Sequence, residues 1–386
     1  MKIVAIDTYI AGNPWKNWLF AKVSTDEGIY GIGEGTANFF AKTVEAAIHE
    51  LKYLVLGMDP FQIEIISQKL IRDVYTEGGQ LHMCAVSAIE IACWDIIGKA
   101  TNQPVYNLMG GRCHEKLRAY ANGWYRGPRT PESFGEKARI VADRGYTALK
   151  FDPFGDNWRT MSRYEFDLSV DIIRAVRSAV GDSVDLLIEG HSRFNTSTAI
   201  EFAEAMADQR PAWFEEPVPH TNINAMVEVA RRSPVPIATG ESFSNKQQFE
   251  ELLRYDVVSI LQPEPLNLGG LFATRKICDM IDAHYGMVAP HSAQGPVCSA
   301  ACAHLNASIP NFFIHEIFDE FNEAWEKEIV TDPVEVVDGY ITPSEKPGIG
   351  IDLNIEEILK HPYQVENAIP LFRRGWERRR TDRELT

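Results

Sequence analysis

Hydrophobic and polar positions along the chain fall into three regimes. In residues 1–60, IVAIDTYIA and WLFAKVSTDEGIYGIGEG read as strands, with Asp26, Glu27 and Gly28 as turn residues between the later pair. Apolar residues then return every three or four positions in TVEAAIHELKYLVLG and PFQIEIISQKLIRDVY, which predicts two helices. A third helix over roughly 81–100 leads into the turn-rich NQPVYNLMGGR. Strands first and helices after make an α+β unit.

From about residue 117 short apolar strands alternate with amphipathic helices. RAYANGWY is followed by a helix over 131–144, ALKFDPF by 163–180, VDLLIEGH by 196–208 and AWFEEP by 222–232. PIATGES, VVSILQPE, MVAPHSA and NFFIHEIF continue the series, again separated by helical stretches. Eight strands in this rhythm indicate parallel βα units, and eight units close most naturally into a barrel. An open doubly wound sheet would bring a glycine-rich phosphate loop after its first strand. The one GxG near a strand, Gly31-Ile32-Gly33, lies in the hairpin region with no helix opening on it. After about 328 strand-like and turn residues return in VEVVDGYITPSEKPGIGIDL, a segment too short for a domain. It is expected to complete the N-terminal unit.

Composition narrows the functional classes. A chain of 386 residues suggests two domains. Its 54 acidic against 38 basic residues, a formal charge of −16, argue against a general nucleic-acid or anionic-membrane binder. They leave room for a small anionic substrate, because a bound metal ion inverts the local potential. The N-terminal stretch is not expected to be a signal peptide, and no run is read as a membrane span. Six cysteines without a CxxC pair form no disulfide framework, and the chain reads as cytoplasmic. The arginine-rich end, RRGWERRRTDRELT, is expected to be a solvated or subunit-contact tail.

In a βα barrel the chemistry gathers at the carboxyl ends of the strands. Those positions hold Lys150 and Asp152, Glu189 and His191, Glu215 with Glu216, Glu241, Glu264, His291 and Glu316. Glu189, Glu215 and Glu241 are spaced 26 and 26 residues apart, one βα unit each. On adjacent strands about 4.8 Å apart their carboxylates converge. Three convergent carboxylates cannot all stay ionised without a cation between them, and an all-oxygen set selects Mg²⁺ or Mn²⁺. Either Glu215 or Glu216 can point at the metal, and the local order does not say which. Glu264 beside His291 suits a general base, and His191 places a second imidazole across the metal. Lys150 can meet a substrate anion as a point charge. Such a site suits abstraction of a proton beside a carboxylate through an enediolate, with His191 able to protonate a departing β-hydroxyl.

These residues carry a resemblance over essentially the whole chain. AVSAIEIACWDIIGKATNQPVYNLMGG, YANGWYRG, ALKFDPFG, LLIEGHSRFN, FEEPV, ATGES, ILQPEPLNLGG, APHSAQG and KPGIGIDL resemble the enolase superfamily in its mandelate racemase-like branch. Within that branch the chain looks most like the gluconate/galactonate (aldonate) dehydratases. The resemblance implies a (β/α)₇β barrel over 117–327 and an α+β cap built from 1–116 and 328–386. It implies Glu189, Glu215 and Glu241 as metal ligands, His291 as base paired with Glu264, and His191 as general acid. Glu316 would contact the substrate carboxylate or enediolate. Cap loops around Trp15–Trp18 and Tyr75–His82 would close over the substrate, and family habit points to a dimer or octamer.

Three positions depart from the branch. Racemases carry Lys-x-Lys on the second strand; here it is Lys150-Phe151-Asp152, which removes the second base. Glu264 stands where Asp is usual, and Glu189 replaces a common Asp, as in the aldonate dehydratases. The expected activity is Mg²⁺-dependent dehydration of an aldonate such as D-gluconate or D-galactonate to the 2-keto-3-deoxy acid. An epimerase or cycloisomerase acting on a related sugar acid is the alternative.

Overall fold

The computed structural model describes residues 1–76, 78–318, 321 and 323–377. Glu77, in the second of the two expected cap loops, and residues 378–386 of the arginine-rich tail lie outside the described residues.

The N-terminal unit opens with an antiparallel meander, β1 (Ile3–Gly12), β2 (Asn17–Thr25) and β3 (Tyr30–Glu34). Helices α1 (Ala41–Val55), α2 (Ile63–Arg72), α3 (Gly79–Thr101) and the single turn α4 (Val105–Leu108) follow. By length and mean hydropathy, 1.4 over its best 18 residues, α3 is apolar enough to cross a membrane, but 83% of that stretch is buried in the protein core. The Gly31-x-Gly33 pair explains how it packs. A Cβ on Gly31 would lie 2.0 Å from the Ala92 carbonyl oxygen, and one on Gly33 2.0 Å from that of Ala88. Two strand residues advance about 6.6 Å and four helical residues about 6 Å, so glycines at period two track a helix ridge at period four. The motif is a close-packing device.

The barrel strands are β4 (Leu117–Ala121), β5 (Ala148–Phe151), β6 (Asp185–Glu189), β7 (Trp213–Glu215), β8 (Ile237–Thr239), β9 (Ile260–Leu261), β10 (Met287–Val288) and β11 (His315–Ile317). They pair in parallel in chain order from β4 to β10, β11 returns to pair with β4, and the bridge Val288↔Phe312 joins the last two. Between them run α5 (Pro131–Ala142), α6 (Arg163–Val180), α7 (Thr196–Ala205), α8 (Ile223–Arg232), α9 (Lys246–Leu253), α10 (Leu271–Asp282) and α11 (Pro296–Ser308). This is a (β/α)₇β barrel with an α+β cap. Its interior is a separate apolar cluster of Tyr120, Ala148, Leu187, Trp213, Ala238, Ile260, Ala289 and Ile314, one residue from each strand or its flank. Five large side chains and three alanines together fill the lumen.

The chain after the barrel divides its contacts. The hairpin of β12 (Val330–Thr331) with β15 (Asp352–Leu353) brackets a second one, β13 (Val336–Val337) with β14 (Tyr340–Ile341). β14 pairs antiparallel with β4, so this part of the segment joins the barrel sheet. The stretch beyond it returns to the cap: Ile349 N–H donates to Asp95 on α3 at 3.0 Å, and Gly12 N–H to the His361 carbonyl at 2.8 Å.

Helix starts show how cap and barrel are joined. α5, α6, α7, α8 and α9 each carry their own side-chain N-cap: Thr130, Ser162, Asn195, Asn222 and Asn245. α10 and α11 start at Gly270 and Gly295, which have none. The cap supplies the acceptors. Glu90 on α3 accepts from Leu271 N–H at 2.8 Å and Phe272 N–H at 2.9 Å. Glu34 at the end of β3 accepts from Gly295 N–H at 2.7 Å and Cys298 N–H at 2.8 Å. A Cβ on Gly270 would meet a Glu90 carboxylate oxygen at 2.0 Å, so glycine is required for the approach. Both carboxylates are fully buried, and each sits at the positive end of a helix dipole.

Replacing Glu90 by Ala strands two backbone N–H groups and the Trp94 indole N–H, which also donates to it at 2.9 Å. At roughly 1–3 kcal/mol per unsatisfied buried donor, Glu90→Ala should destabilise the protein by at least about 2 kcal/mol in urea denaturation. Exposed Glu251→Ala should stay within about 0.5 kcal/mol of the parent.

Candidate metal centre and active site

β6, β7 and β8 are consecutive neighbours, and their register sets Glu189 directly beside Glu215. Glu241 follows two residues after β8 ends. Each of the three offers an oxygen, and these lie within 4.8 Å of one another. Glu215 accepts from the Trp213 indole N–H at 2.8 Å and Glu189 from His191 N–H at 2.7 Å, so both are pre-oriented. The Glu241 Oε2 atom is buried with no hydrogen-bond donor. Burial raises the proton affinity of Glu215, to about pH 7, and of Glu241, and repulsion between the neighbouring carboxylates adds to it. A hard divalent cation fits this donor set: three carboxylates, no sulfur, and one carboxylate oxygen without a hydrogen-bond donor.

Glu216 is held away from that centre. Its carboxylate accepts from Ser192 Oγ at 2.7 Å, Thr239 Oγ1 at 2.5 Å and Gly240 N–H at 3.0 Å. Its own backbone has left the strand, at φ 40°. The choice between Glu215 and Glu216 is therefore made by neighbouring loops.

Lys150, on β5, is 1% exposed and reaches Glu215 at 2.6 Å, Glu316 at 2.9 Å and Glu189 at 3.3 Å. Burial opposes its charge, but Glu215 and Glu316 outweigh it and raise its pKa. Glu316 turns to Lys150, to Asn122 Nδ2 at 2.8 Å and to Ser292 N–H at 2.8 Å, rather than to the cavity surface. Burial would raise its carboxyl, but Lys150, then His291 and the Ser292 N–H, hold it well below the usual range.

Two imidazoles face each other, because the third and seventh of eight strands lie across a closed barrel. His291, after β10, holds Glu264 through Nδ1 at 2.6 Å, while Nε2 lies 3.5 Å from Glu241. Burial alone would lower it, but Glu241, Glu316 and Glu264 push it up to about 10. His191 holds Asp152 through Nδ1 at 2.6 Å. It does not continue the β6 face, as simple alternation predicts: the strand ends at Glu189, and His191 and Ser192 adopt φ 47° and 55°. This turn is what swings the ring toward Asp152. Burial raises the Asp152 pKa, but buried Arg193 and His191 outweigh it and hold Asp152 below its ordinary value. His191 is itself lowered by burial.

Lys150, Glu189, His191, Glu241, Glu264 and His291 line a cavity of about 180 Å³ roofed by Trp15 and Lys16 from the first expected cap loop and by Gln80, which the structure places in the first turn of α3 rather than in a loop. Ile369, Leu371 and Trp376 complete its wall. This corrects the expectation of a solvated tail for the first part of the arginine-rich end. Trp376 is 1% exposed, its ring stands edge-on to His191 at 5.7 Å, and its indole N–H donates to the Gly155 carbonyl at 3.0 Å. Its aromatic burial outweighs the solubility of the flanking arginines.

Residues 13–110 match the mandelate racemase / muconate lactonizing enzyme N-terminal domain, and residues 133–358 match the enolase C-terminal domain-like family. The chain belongs to the mandelate racemase/muconate lactonizing enzyme family. It is an enzyme of the enolase superfamily. A D-gluconate/D-galactonate dehydratase of Picrophilus torridus is 34% identical over 361 residues, 90% of this chain and 91% of the relative. A D-gluconate dehydratase of Thermoproteus tenax is 32% identical over 92% of this chain and 72% of its own length. The mandelate racemase/muconate lactonizing enzyme from Jannaschia sp. CCS1 superposes with a TM-score of 0.89 at 32% identity, covering 94% of this chain and 98% of that one.

Against that family, the residues that sequence reasoning left without a role are Asp152 as the partner of His191, Arg193 behind it, Asn122 and Ser292 on Glu316, and Trp376. One signal was available for the first: Asp152 stands at the end of the second barrel strand, next to the strand that bears His191. The others meet the site only through contacts distant in sequence.

A Mn²⁺ titration followed by electron paramagnetic resonance should show one ion bound per chain. Glu215→Gln should weaken it beyond the roughly 10–100-fold that loss of a supporting contact costs.

Proposed function

We propose that this hydro-lyase removes water from a sugar acid, an aldonate such as D-gluconate or D-galactonate, to give the 2-keto-3-deoxy acid. The observation that carries the reading is a pair of carboxylate-held imidazoles on facing strands of one cavity, with a three-carboxylate cluster between them. The relatives' names, gluconate and galactonate dehydratases, support it. The six free cysteines agree with a reducing cytoplasmic setting.

Mg²⁺, or Mn²⁺, held by Glu189, Glu215 and Glu241 would supply positive charge against the substrate carboxylate and so acidify its α-proton. His291 takes that C2 proton on Nε2, since Nδ1 is committed to Glu264. Lys150 stabilises the negative charge of the enediolate, and Glu316 with Asn122 keeps its ammonium in place. His191, its Nδ1 on ionised Asp152, protonates the C3 hydroxyl as the C3–O bond breaks. Water departs, and the enol ketonises. With Asp152 occupying the position of a racemase lysine, His191 is, among the described residues, the one imidazole lining the cavity besides His291.

One observation favours a second reading. Burial lowers His191, so it can also serve as a base, and two opposed bases would epimerise C2. The product in deuterated water separates the two: dehydration yields a keto acid, and epimerisation yields a C2-deuterated aldonate with its C3 hydroxyl retained.

A panel of aldonates and aldarates with Mg²⁺, assayed for 2-keto acid, should give turnover on at least one hexonate or pentonate; none at all sinks the proposal. His191→Asn should abolish dehydration yet leave exchange of the C2 proton with solvent, read by NMR. His291→Asn should abolish both. Asp152→Asn should cut dehydration by about 10²-fold through loss of ring alignment while sparing exchange.

A further inference from the structure

The Glu264 carboxylate is fixed from both sides by amides that lead into the cap. Besides His291 Nδ1, its Oε2 accepts from Asn267 Nδ2 at 3.0 Å, and its Oε1 accepts from Gln294 Nε2 at 3.1 Å. Each amide is then held from the cap, Gln294 by a loop residue and Asn267 by the N-terminal part of α3. Lys16 Nζ donates to Gln294 Oε1 at 3.3 Å and to the Ala293 carbonyl at 2.7 Å. Gln80 Nε2 donates to Asn267 Oδ1 at 3.0 Å, and Cys84 Sγ approaches the same oxygen at 3.5 Å. An ammonium only donates, so Lys16 must face the oxygen of Gln294, which turns the NH₂ group toward Glu264. The donors on Asn267 Oδ1 do the same for Asn267. Lys16 is in turn set by Asn13, whose side-chain oxygen accepts from Trp15 N–H at 2.7 Å and Lys16 N–H at 2.9 Å.

A cap loop and the first turn of α3, 64 residues apart in sequence, thus end, through one amide each, on the two oxygens of a single carboxylate. We propose that Lys16 and Gln80 are positioning residues for the base: with the Lys16 loop and the first turn of α3 seated on the barrel mouth, they lock Gln294 and Asn267, which lock Glu264 and with it the imidazole of His291. The inference rests on the reading of His291 as the base. Its consequence is that the base is aligned only in an enzyme whose cavity is roofed, so proton abstraction is confined to a site closed to bulk water. The chain of contacts is a hydrogen-bond network of the kind that holds catalytic groups to within fractions of an ångström.

Lys16→Met and Gln80→Leu test this, with Lys16→Arg and Gln80→Asn as conservative partners. Steady-state kinetics on the best aldonate should show kcat reduced about 10–100-fold with KM nearly unchanged, and a larger primary isotope effect with C2-deuterated substrate. Lys16→Arg should restore much of the loss. A raised KM at unchanged kcat would instead make these residues substrate contacts and overturn the proposal. A second readout does not need turnover. In the substrate-free enzyme the His291 Nδ1–H proton should give a downfield NMR signal, assigned by its loss in His291→Asn. It should shift or broaden in Lys16→Met and Gln80→Leu at unchanged thermal midpoint and Mn²⁺ affinity. An unmoved signal in both variants refutes the positioning role, even if no aldonate is a substrate. A shifted signal without turnover on the panel refutes the dehydratase reading alone.

Discussion

Three carboxylates with oxygens within 4.8 Å of one another, two of them buried and the third half-buried at the mouth of a barrel, repel each other more strongly than one lysine can offset. Much else at this end of the molecule answers that constraint. Lys150 is drawn into contact with Glu189, Glu215 and Glu316, and the Trp213 indole and the His191 backbone N–H fill the outer lone pairs of the cluster. The lone pair left on Glu241 is the one that a cation must satisfy. His291 also lies in the field of Glu241 and Glu316, which raises its proton affinity. A divalent ion bound in the cluster would reverse that field. The same arrangement that makes the metal-free cluster costly therefore prepares an efficient site for an anionic substrate.

The cap is part of the barrel's construction as well as the roof of its cavity. Two barrel helices begin without local caps and take their acceptors from Glu34 and Glu90. Those helices follow the loops that carry His291 and Glu264, so helix starts and the base pair share their supports. Asp95 adds a third tie. It accepts from Ile32 N–H at 3.0 Å in the cap sheet and from Ile349 N–H at 3.0 Å in the returning chain. Buried carboxylates that each satisfy backbone donors from distant segments specify one docking geometry, because any slip leaves buried donors unpaired.

Much of this was legible in the chain. The period-two and period-3.6 patterns locate the eight strands and most helices to within a few residues, because side-chain direction follows local backbone geometry. The 26-residue recurrence of glutamate places Glu189, Glu215 and Glu241 at successive strand ends, and Glu264 beside His291 follows from strand adjacency. Other features resisted. Gly31-x-Gly33 looks the same whether it cradles phosphate or packs on a helix, and only the Ala88 and Ala92 carbonyls above it decide. The arginines around Trp376 hide a buried indole.

The chain alone determined which residue types stand at each strand end, and so that the site is a carboxylate cluster flanked by imidazoles. Tertiary structure decided which atoms meet. Glu215 rather than Glu216 enters the cluster because Ser192, Thr239 and Gly240 claim Glu216. His191 finds Asp152 because the backbone turns at φ 47° instead of extending β6. Lys16 from a cap loop and Gln80 from the first turn of α3 reach one carboxylate through Gln294 and Asn267. Periodicity is a property of neighbours along the chain. Pairing of donors with acceptors depends on where remote segments are held, and no local pattern records it.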